Sequence, residues 1–412
     1  MNFDIKYSKL KNGVRILTVP MASVESVSAM ILVKTGSRNE TLNQAGISHV
    51  LEHMVFKGTK SYPSPMAIAE TVDGIGAEQN AFTNKEYTGY YITSAAKHLP
   101  LSLKILSEMV TVPLIPQEDL EREREVIVEE INMYEDQPMD KAVEAWENLI
   151  YEGSDMGREI IGTKDTVRAT TSKTVRAYLD KWYVGGNMLV VIVGKYNAKE
   201  LADNIEKRFG KIKKGAIVPY VSKINYGPVE HRHIEKKTEQ AHFWMGVPAI
   251  SMTDPRRYAL NLASVILGGG MSSRLFNEVR EKRGLAYYVG ATLNTDFDGG
   301  YLGVRAGVKL DKLTEAMDVV RAEMLKLADT ITQEELTKAK EFILGHLPLS
   351  LEDTMGVAHF VGMRALETED IRQPSDVEDG IKKATLADVK KVAAEMIRPE
   401  LIRSVVVGPK AA

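Results

Sequence analysis

Thr171-Ser-Lys-Thr-Val-Arg-Ala-Tyr178 leads to Leu189-Val-Val-Ile-Val-Gly194, and the pattern returns 214 residues later as Thr385-Leu-Ala-Asp-Val-Lys-Lys-Val392 leading to Arg403-Ser-Val-Val-Val-Gly408. A second match lies upstream. Leu114-Ile-Pro-Gln-Glu-Asp-Leu120 corresponds to Asp329-Thr-Ile-Thr-Gln-Glu-Glu-Leu336, with Gln117 and Leu120 falling on Gln333 and Leu336 at an offset of 216. The chain is therefore an internal repeat, and each half reads as edge strands, a helix, a hairpin region, several helices and a closing strand. Grouped helices beside runs of strands predict an α+β fold: two homologous domains, each a mostly antiparallel sheet packed with helices on one face. The boundary is expected where Gly and Pro gather after the first repeat closes, in Gly215-Ala-Ile-Val-Pro219 through Asn225-Tyr-Gly-Pro228. This gives domains 1–214 and 231–412 joined by a linker 215–230.

Composition excludes several classes. The 412 residues suffice for two domains with their own cores. A content of 44% hydrophobic and 26% charged residues is ordinary for a globular protein. Net charge is −3 with no long basic run, which argues against nucleic acid as a partner. No run of about eighteen apolar residues is present to cross a bilayer. The start Met1-Asn-Phe-Asp-Ile-Lys-Tyr-Ser8 has neither a secretory apolar core nor transit-peptide character, and there is no cysteine. The expected location is cytoplasmic, and any metal has to rest on His and carboxylate.

His49-Val50-Leu51-Glu52-His53 supplies such a site. Residues four apart on a helix share a face, so the two imidazoles point together with Glu52 beside them. Two nitrogen ligands and a carboxylate able to take a proton from a metal-bound water make half of a zinc hydrolase; the order His-x-x-Glu-His is the inverzincin motif. Ile47, Val50, Leu51, Met54 and Val55 flank the histidines, so the helix is expected to be buried, where unpartnered His and Glu are costly. Thr41 and Gln44 have capping-box spacing ahead of it, and Gly58 can end it. Catalytic zinc usually has a third protein ligand. The stretch Leu120–Tyr134 reads as a charged helix with an apolar stripe of Leu120, Val126, Ile127 and Ile131. Its Glu129 and Glu130 are both candidates, and Glu123 lies two turns before Glu130 on roughly the same side.

These residues closely resemble the pitrilysin, insulin-degrading enzyme and mitochondrial processing peptidase family over essentially the whole chain. Its members carry His-x-x-Glu-His, then 76 residues, then a ligand glutamate, and here residues 54 to 129 put Glu130 at that place. The resemblance implies one Zn2+ per chain held by His49, His53 and Glu130, with Glu52 as general base and Glu123 as an accessory carboxylate. Gly76–Tyr90 looks like the strand on which the family lays its substrate, so Asn80, Ala81 and Phe82 are expected to bind it. Gly157 and Gly162-Thr163 resemble a short Gly-x-x-x-x-Gly-Thr segment. Arg280 and Tyr287 match the pair with which similar enzymes hold substrate opposite the zinc, Tyr287 also assisting the oxyanion. The implied activity is a zinc metalloendopeptidase acting on unfolded peptides or leader segments inside a closed chamber. The implied assembly is a clamshell homodimer in which Arg280 and Tyr287 serve the partner's zinc; some relatives divide these roles between two related chains, so a heterodimer is the other form.

The repeat supplies an internal control. Position 49 maps onto Val265, 53 onto Gly269, 123 onto Ala339 and 130 onto His346. Residues demanded by the scaffold would recur, and these do not. Two other readings are a non-catalytic assembly subunit, which in this family has degraded ligand motifs, and a peptide-binding module with a structural, four-ligand metal. Leu267-Gly-Gly-Gly-Met-Ser-Ser-Arg-Leu275 lacks the Gly-Lys-Ser/Thr ending of a phosphate loop and reads as a tight connection between helices.

Overall fold

The stretch Met188–Gly194 is apolar and buried along its whole length, as a strand in the middle of a covered sheet has to be. The computed structural model, which describes residues 2–217, 219–220 and 223–409, places it there. In chain order the first half contributes β1 (Lys6–Lys9), β2 (Arg15–Pro20), β3 (Ser26–Val33), α1 (Ile47–Met54), α2 (Pro65–Asp73), β4 (Glu78–Thr83), β5 (Thr88–Ala95), α3 (Leu99–Thr111), α4 (Gln117–Asp136), α5 (Pro138–Ile150), α6 (Lys164–Ala169), α7 (Ser172–Trp182), β6 (Met188–Gly194) and α8 (Ala198–Phe209). The second half contributes β7 (His231–Glu235), β8 (Gln240–Ala249), α9 (Arg257–Gly268), β9 (Ala286–Thr295), β10 (Gly300–Lys309), α10 (Leu313–Thr330), α11 (Gln333–Leu349), α12 (Thr354–Thr368), α13 (Pro374–Lys383), α14 (Leu386–Met396) and β11 (Arg403–Gly408).

One sheet runs β1-β2-β6-β3-β5-β4 and the other β7-β11-β8-β10-β9. Among the described residues the β2–β6 and β7–β11 pairs are parallel and the remaining pairs antiparallel. The fold is thus α+β with two mostly antiparallel, helix-packed sheets. Thr171 and Thr385, which open the repeated segments, each cap a helix with the side-chain oxygen, on the N–H of Thr174 and of Asp388.

Two compact units result, and they are not contiguous in sequence. One comprises Met1–Ile131, Arg158–Val221 and Pro348–Pro374; the other comprises Asn132–Gly157, Ser222–Leu347 and Ser375–Ala412. The sequence division into 1–214 and 231–412 therefore does not describe how the units are composed: α5 belongs with the second sheet and α12 with the first. Of the expected linker 215–230, residues 218, 221 and 222 lie outside the described residues, and the others form no helix or strand.

This exchange also changes the layering. In the first unit alternate residues of β3 (Val27, Ala29, Ile31, Val33) face one core with α1, α3, α4, α7 and α8, the expected grouped helices on one face. The opposite face is covered as well, by α12: Thr354 Oγ1 meets Ser28 Oγ at 2.7 Å and Gly362 lies against Leu32 and Val191. The buried Arg15 guanidinium donates to the carbonyls of Ala365 and Leu366, 3.1 Å each, a cation on the carbonyl end of that helix. In the second unit α5 plays the same part. Trp146 stacks on Trp244 (6.0 Å between ring centres) and meets Tyr301 edge-on (5.6 Å). Among the described residues no helix is long and apolar enough to cross a membrane.

Candidate metal centre

The metal-motif helix α1 begins immediately after Gly46, whose φ of +88° suits a residue without a side chain. There is no room for one either: a Cβ on Gly46 would come 2.4 Å from the Ile161 carbonyl oxygen, and one on Gly162 (φ +78°) 2.4 Å from the Ala45 carbonyl oxygen. The Gly162-Thr163 pair of the sequence motif is thus explained, since Gly162 admits the entry to α1 and Thr163 caps α6. The expected capping box does not cap α1. Thr41 and Gln44 flank a separate 3-10 turn, Leu42–Gln44, with a side-chain hydrogen bond between them (3.2 Å). The cap comes instead from Glu40. Its Oε2 accepts the Gly46 N–H (2.7 Å) and its Oε1 the Ser48 N–H (2.8 Å). At the other end the helix tightens into the turn Val55–Lys57 and stops at Gly58 (φ +133°), as the sequence suggested.

Ile47, Val50, Leu51 and Met54 point into the core, which turns His49, Glu52 and His53 the other way. Helix α4 runs past them with Leu120, Ile127 and Ile131 buried as expected; Val126 departs from the stripe and is 51% exposed, with Val128 buried in its stead. Glu130 projects from the face that meets α1. Its Oε2 lies 3.7 Å from His49 Nε2 and 3.6 Å from His53 Nε2, and the three donor atoms all fall within 4.8 Å of one another. Donors about 2.1 Å from a zinc ion at tetrahedral angles stand about 3.4 Å apart, so this set fits one. Burial, and then the neighbouring His53, push the His49 imidazole down to about 3, leaving a neutral ring with a lone pair to give.

The two histidines are supported differently. His53 Nδ1 pairs with Glu123 Oε2 at 3.1 Å, and Glu123 Oε1 takes the Lys57 ammonium at 2.5 Å. Burial raises the Glu123 carboxyl, but the contacts from His53 and Lys57 outweigh it and hold the group below its ordinary value. Such a carboxylate fixes ring orientation and makes the imidazole a better ligand. His49 Nδ1 is buried without a hydrogen-bond partner among the described residues.

Glu52 is half-buried. Burial raises its carboxyl above the ordinary range, the hydrogen bond from Thr83 and the charge of His53 draw it down, and Glu130 pushes it up again. Thr83 Oγ1 donates to Glu52 Oε2 at 2.5 Å. Thr83 ends β4, the edge strand of its sheet. The stretch 76–90, expected as one strand, is a hairpin of β4 and β5 turned at Asn84–Tyr87, because Asn84 accepts the Lys85 N–H through its own side chain and closes the turn on Tyr87. Asn80 Oδ1 accepts the Ala81 N–H at 2.8 Å. The Phe82 ring turns to the other face, between Tyr87, Tyr91 and His359.

The structure therefore brings together His49, Glu52, His53, Glu123 and Glu130 and sets the Asn80–Phe82 strand beside them through Thr83. Arg280 and Tyr287 lie in the other unit. Arg280 sits on a π-helical turn, Phe276–Glu281, with its guanidinium 4.9 Å over the Phe276 ring, and Tyr287, on β9, is 76% exposed. Sequence reasoning missed three supporting residues. Lys57, one turn beyond His53, had a readable spacing; Thr83 and Glu40 reach the site only through the fold.

Residues 15–164 match the family described as Insulinase (Peptidase family M16), and residues 169–343 match the Peptidase M16 inactive domain. An uncharacterized zinc protease of Streptomyces coelicolor is 35% identical over 98% of this chain and 90% of its own length. The uncharacterized zinc protease YmxG of Bacillus subtilis is 36% identical over 85% of each chain. Among solved structures, a protease from Helicobacter pylori shares the fold with a TM-score of 0.92 at 24% identity, over 99% of this chain and 100% of that one. A peptidase M16 inactive domain from Pseudomonas fluorescens also has a TM-score of 0.92, at 20% identity, over 99% of this chain and 98% of that one.

Proposed function

The chain belongs to peptidase family M16, and on that premise we propose that it is a zinc metalloendopeptidase cleaving extended peptides or leader segments. The observation that carries this reading is the triangle of His49, His53 and Glu130 donors with the Glu52 carboxylate one helical turn away. A zinc ion bound there supplies the Lewis acid that makes water acidic enough to ionise near pH 7 (an apparent value of about 7) and polarises a peptide carbonyl. Glu52 takes the proton of the attacking water and returns it to the leaving amine. Thr83 holds Glu52 Oε2, so Oε1 is the oxygen that does so. A substrate adds as a further strand at the β4 edge, beside Asn80, Ala81 and Phe82, which selects unfolded chains because only an extended backbone can pair there. The same strand carries Thr83, so the base and the substrate platform are one element.

In this reading two identical chains close around the substrate as a chamber, each offering Arg280 and Tyr287 to the other's zinc. Tyr287 is 76% exposed, which leaves its ring accessible to a substrate or a partner chain. A non-catalytic reading is suggested by the description of the second matched family, an inactive domain, but that match begins at residue 169 and the donor set lies wholly before it.

Zinc analysis paired with cleavage of an unstructured reporter peptide, for wild type and Glu52→Gln, tests the activity. Zinc retained with cleavage lost is the expected result; cleavage by both proteins, or by neither, contradicts it. Mixing a Glu52→Gln chain with an Arg280→Ala/Tyr287→Ala chain tests the assembly. Mixed dimers with more activity than either parent are expected, and activity no higher than the parents' excludes action in trans.

A further inference from the structure

We propose that Glu40 is a positioning residue for the metal centre, its carboxylate serving as the N-terminal cap of α1 and thereby placing His49. The consequence for cleavage rests on the peptidase reading above; the contacts themselves do not. A helix start leaves unpaired N–H groups that a Ser, Thr, Asp or Asn at the cap position normally satisfies. In α1 that position is Gly46, which has no side chain and, with Gly162 pressed against it, can accept none. Glu40 reaches in from six residues upstream and takes two of the free donors, the Gly46 and Ser48 N–H groups, one on each carboxylate oxygen.

The support for Glu40 is itself specific. It is 5% exposed, and Arg158 Nη1 donates to its carbonyl oxygen at 2.5 Å. Ser48 Oγ meets Tyr178 Oη at 2.8 Å, which meets Thr35 Oγ1 at 2.6 Å, so the first turn of α1 is tied on its other side to α7 and to the end of β3.

The two ligand histidines explain why this cap matters to the site. His53 sits in the last turn and is oriented through its ring by Glu123 and Lys57. His49 is the third residue of an eight-residue helix, directly after Ser48, and its Nδ1 has no hydrogen-bond partner among the described residues. Its ring meets the His53 ring edge-on at 4.6 Å between centres, but among the described residues no hydrogen bond anchors its Nδ1, so its place depends on the backbone of the first turn. That turn frays first when its donors lose their acceptor. Glu40 thus does for His49 through the main chain what Glu123 does for His53 through the ring.

The test is Glu40→Gln, which keeps the size of the side chain and exchanges one acceptor oxygen for a donor. Zinc affinity is measured by chelator competition, alongside kcat and KM for a reporter peptide. The control is Thr171→Ala, which removes the cap of α7 and touches no proposed ligand. Glu40→Gln is expected to weaken zinc binding on the order of 10-fold, within the range seen for groups that orient ligands, and to lower kcat more than it raises KM. Thr171→Ala is expected to lower thermal stability alone. A folded Glu40→Gln with wild-type zinc affinity, or a loss matched by Thr171→Ala, overturns the proposal. If Glu40→Gln does not fold, amide hydrogen exchange in the zinc-free wild type decides: Ser48 protected like Leu51 supports the cap, and exchange at loop rates refutes it. Failure of the wild type to bind zinc or cleave peptide sinks the peptidase reading and leaves the exchange experiment standing.

Discussion

The helix pairs α1/α4 and α9/α11 occupy equivalent places in a repeated scaffold and differ in almost everything that chemistry needs. Where the first pair carries His49, His53, Glu123 and Glu130, the second carries Val265, Gly269, Ala339 and His346. Between α9 and α11 is a cavity of only about 50 Å3 lined partly by Val265, Ile266, Ala339 and Phe342. Gly269 closes α9 as its C-terminal cap residue, and the His346 ring nitrogen turns back to the Phe342 carbonyl. The same architecture therefore stands without any donor set. The half-buried imidazoles and carboxylates of the first pair are not needed by the scaffold, which carries valine and alanine at the positions equivalent to His49 and Glu123.

Making the first pair resemble the second is the strongest way to break this contrast. His49→Val, which copies Val265, is expected to abolish zinc binding and cleavage while leaving a folded protein, as metal analysis and circular dichroism would show. A variant that keeps its zinc would mean that the repeat comparison misassigns the ligands. Next in size is Glu52→Gln, expected to lower kcat by about 10²–10⁴-fold with zinc in place, the range for a lost general base. Glu123→Ala, copying Ala339, comes third: a loss of about 10–100-fold in zinc affinity or activity, since it frees the His53 ring and leaves Lys57 unpaired.

The smallest effect is a pH dependence. Burial raises the Glu40 carboxyl from 4.5 to about 7, against the opposing hydrogen bonds from Ser48 and Gly46 and the charge of Arg158. A group whose pKa is higher folded than unfolded contributes stability that is fully present below the unfolded value and is lost as pH rises through the folded one. Zinc-free wild type should therefore lose thermal stability relative to Glu40→Gln between pH 4.5 and pH 7. A difference that stays constant across that interval would show that Glu40 does not titrate there.

Much of the site was legible because its signals are local or exactly spaced. The His49–His53 pair shares a helix face by geometry, and the resemblance placed Glu130 by counting residues. What was not legible depended on distant partners. The Thr41–Gln44 spacing imitates a capping box, yet Gly46 breaks the chain direction between it and α1, and the acceptor is Glu40 folding back. The stretch 76–90 carries strand-forming residues throughout, and only the Asn84 side chain decides that it turns. The exchange of α5 and α12 left no local trace at all. Each helix is amphipathic and follows its neighbour closely, and which sheet it covers is settled by Trp146 finding Trp244 and by Thr354 finding Ser28. Burial of aromatic surface over such distances in sequence is a tertiary choice, not a periodicity.

Anomalous diffraction at the zinc absorption edge, on crystals of the purified protein, would show whether His49, His53 and Glu130 hold a metal ion. One peak per chain is expected, bonded at about 2.0–2.2 Å to His49 Nε2, His53 Nε2 and a Glu130 oxygen with one position left to solvent. A peak elsewhere, a fourth protein ligand closing the site, or no peak between α1 and α4 would contradict that expectation.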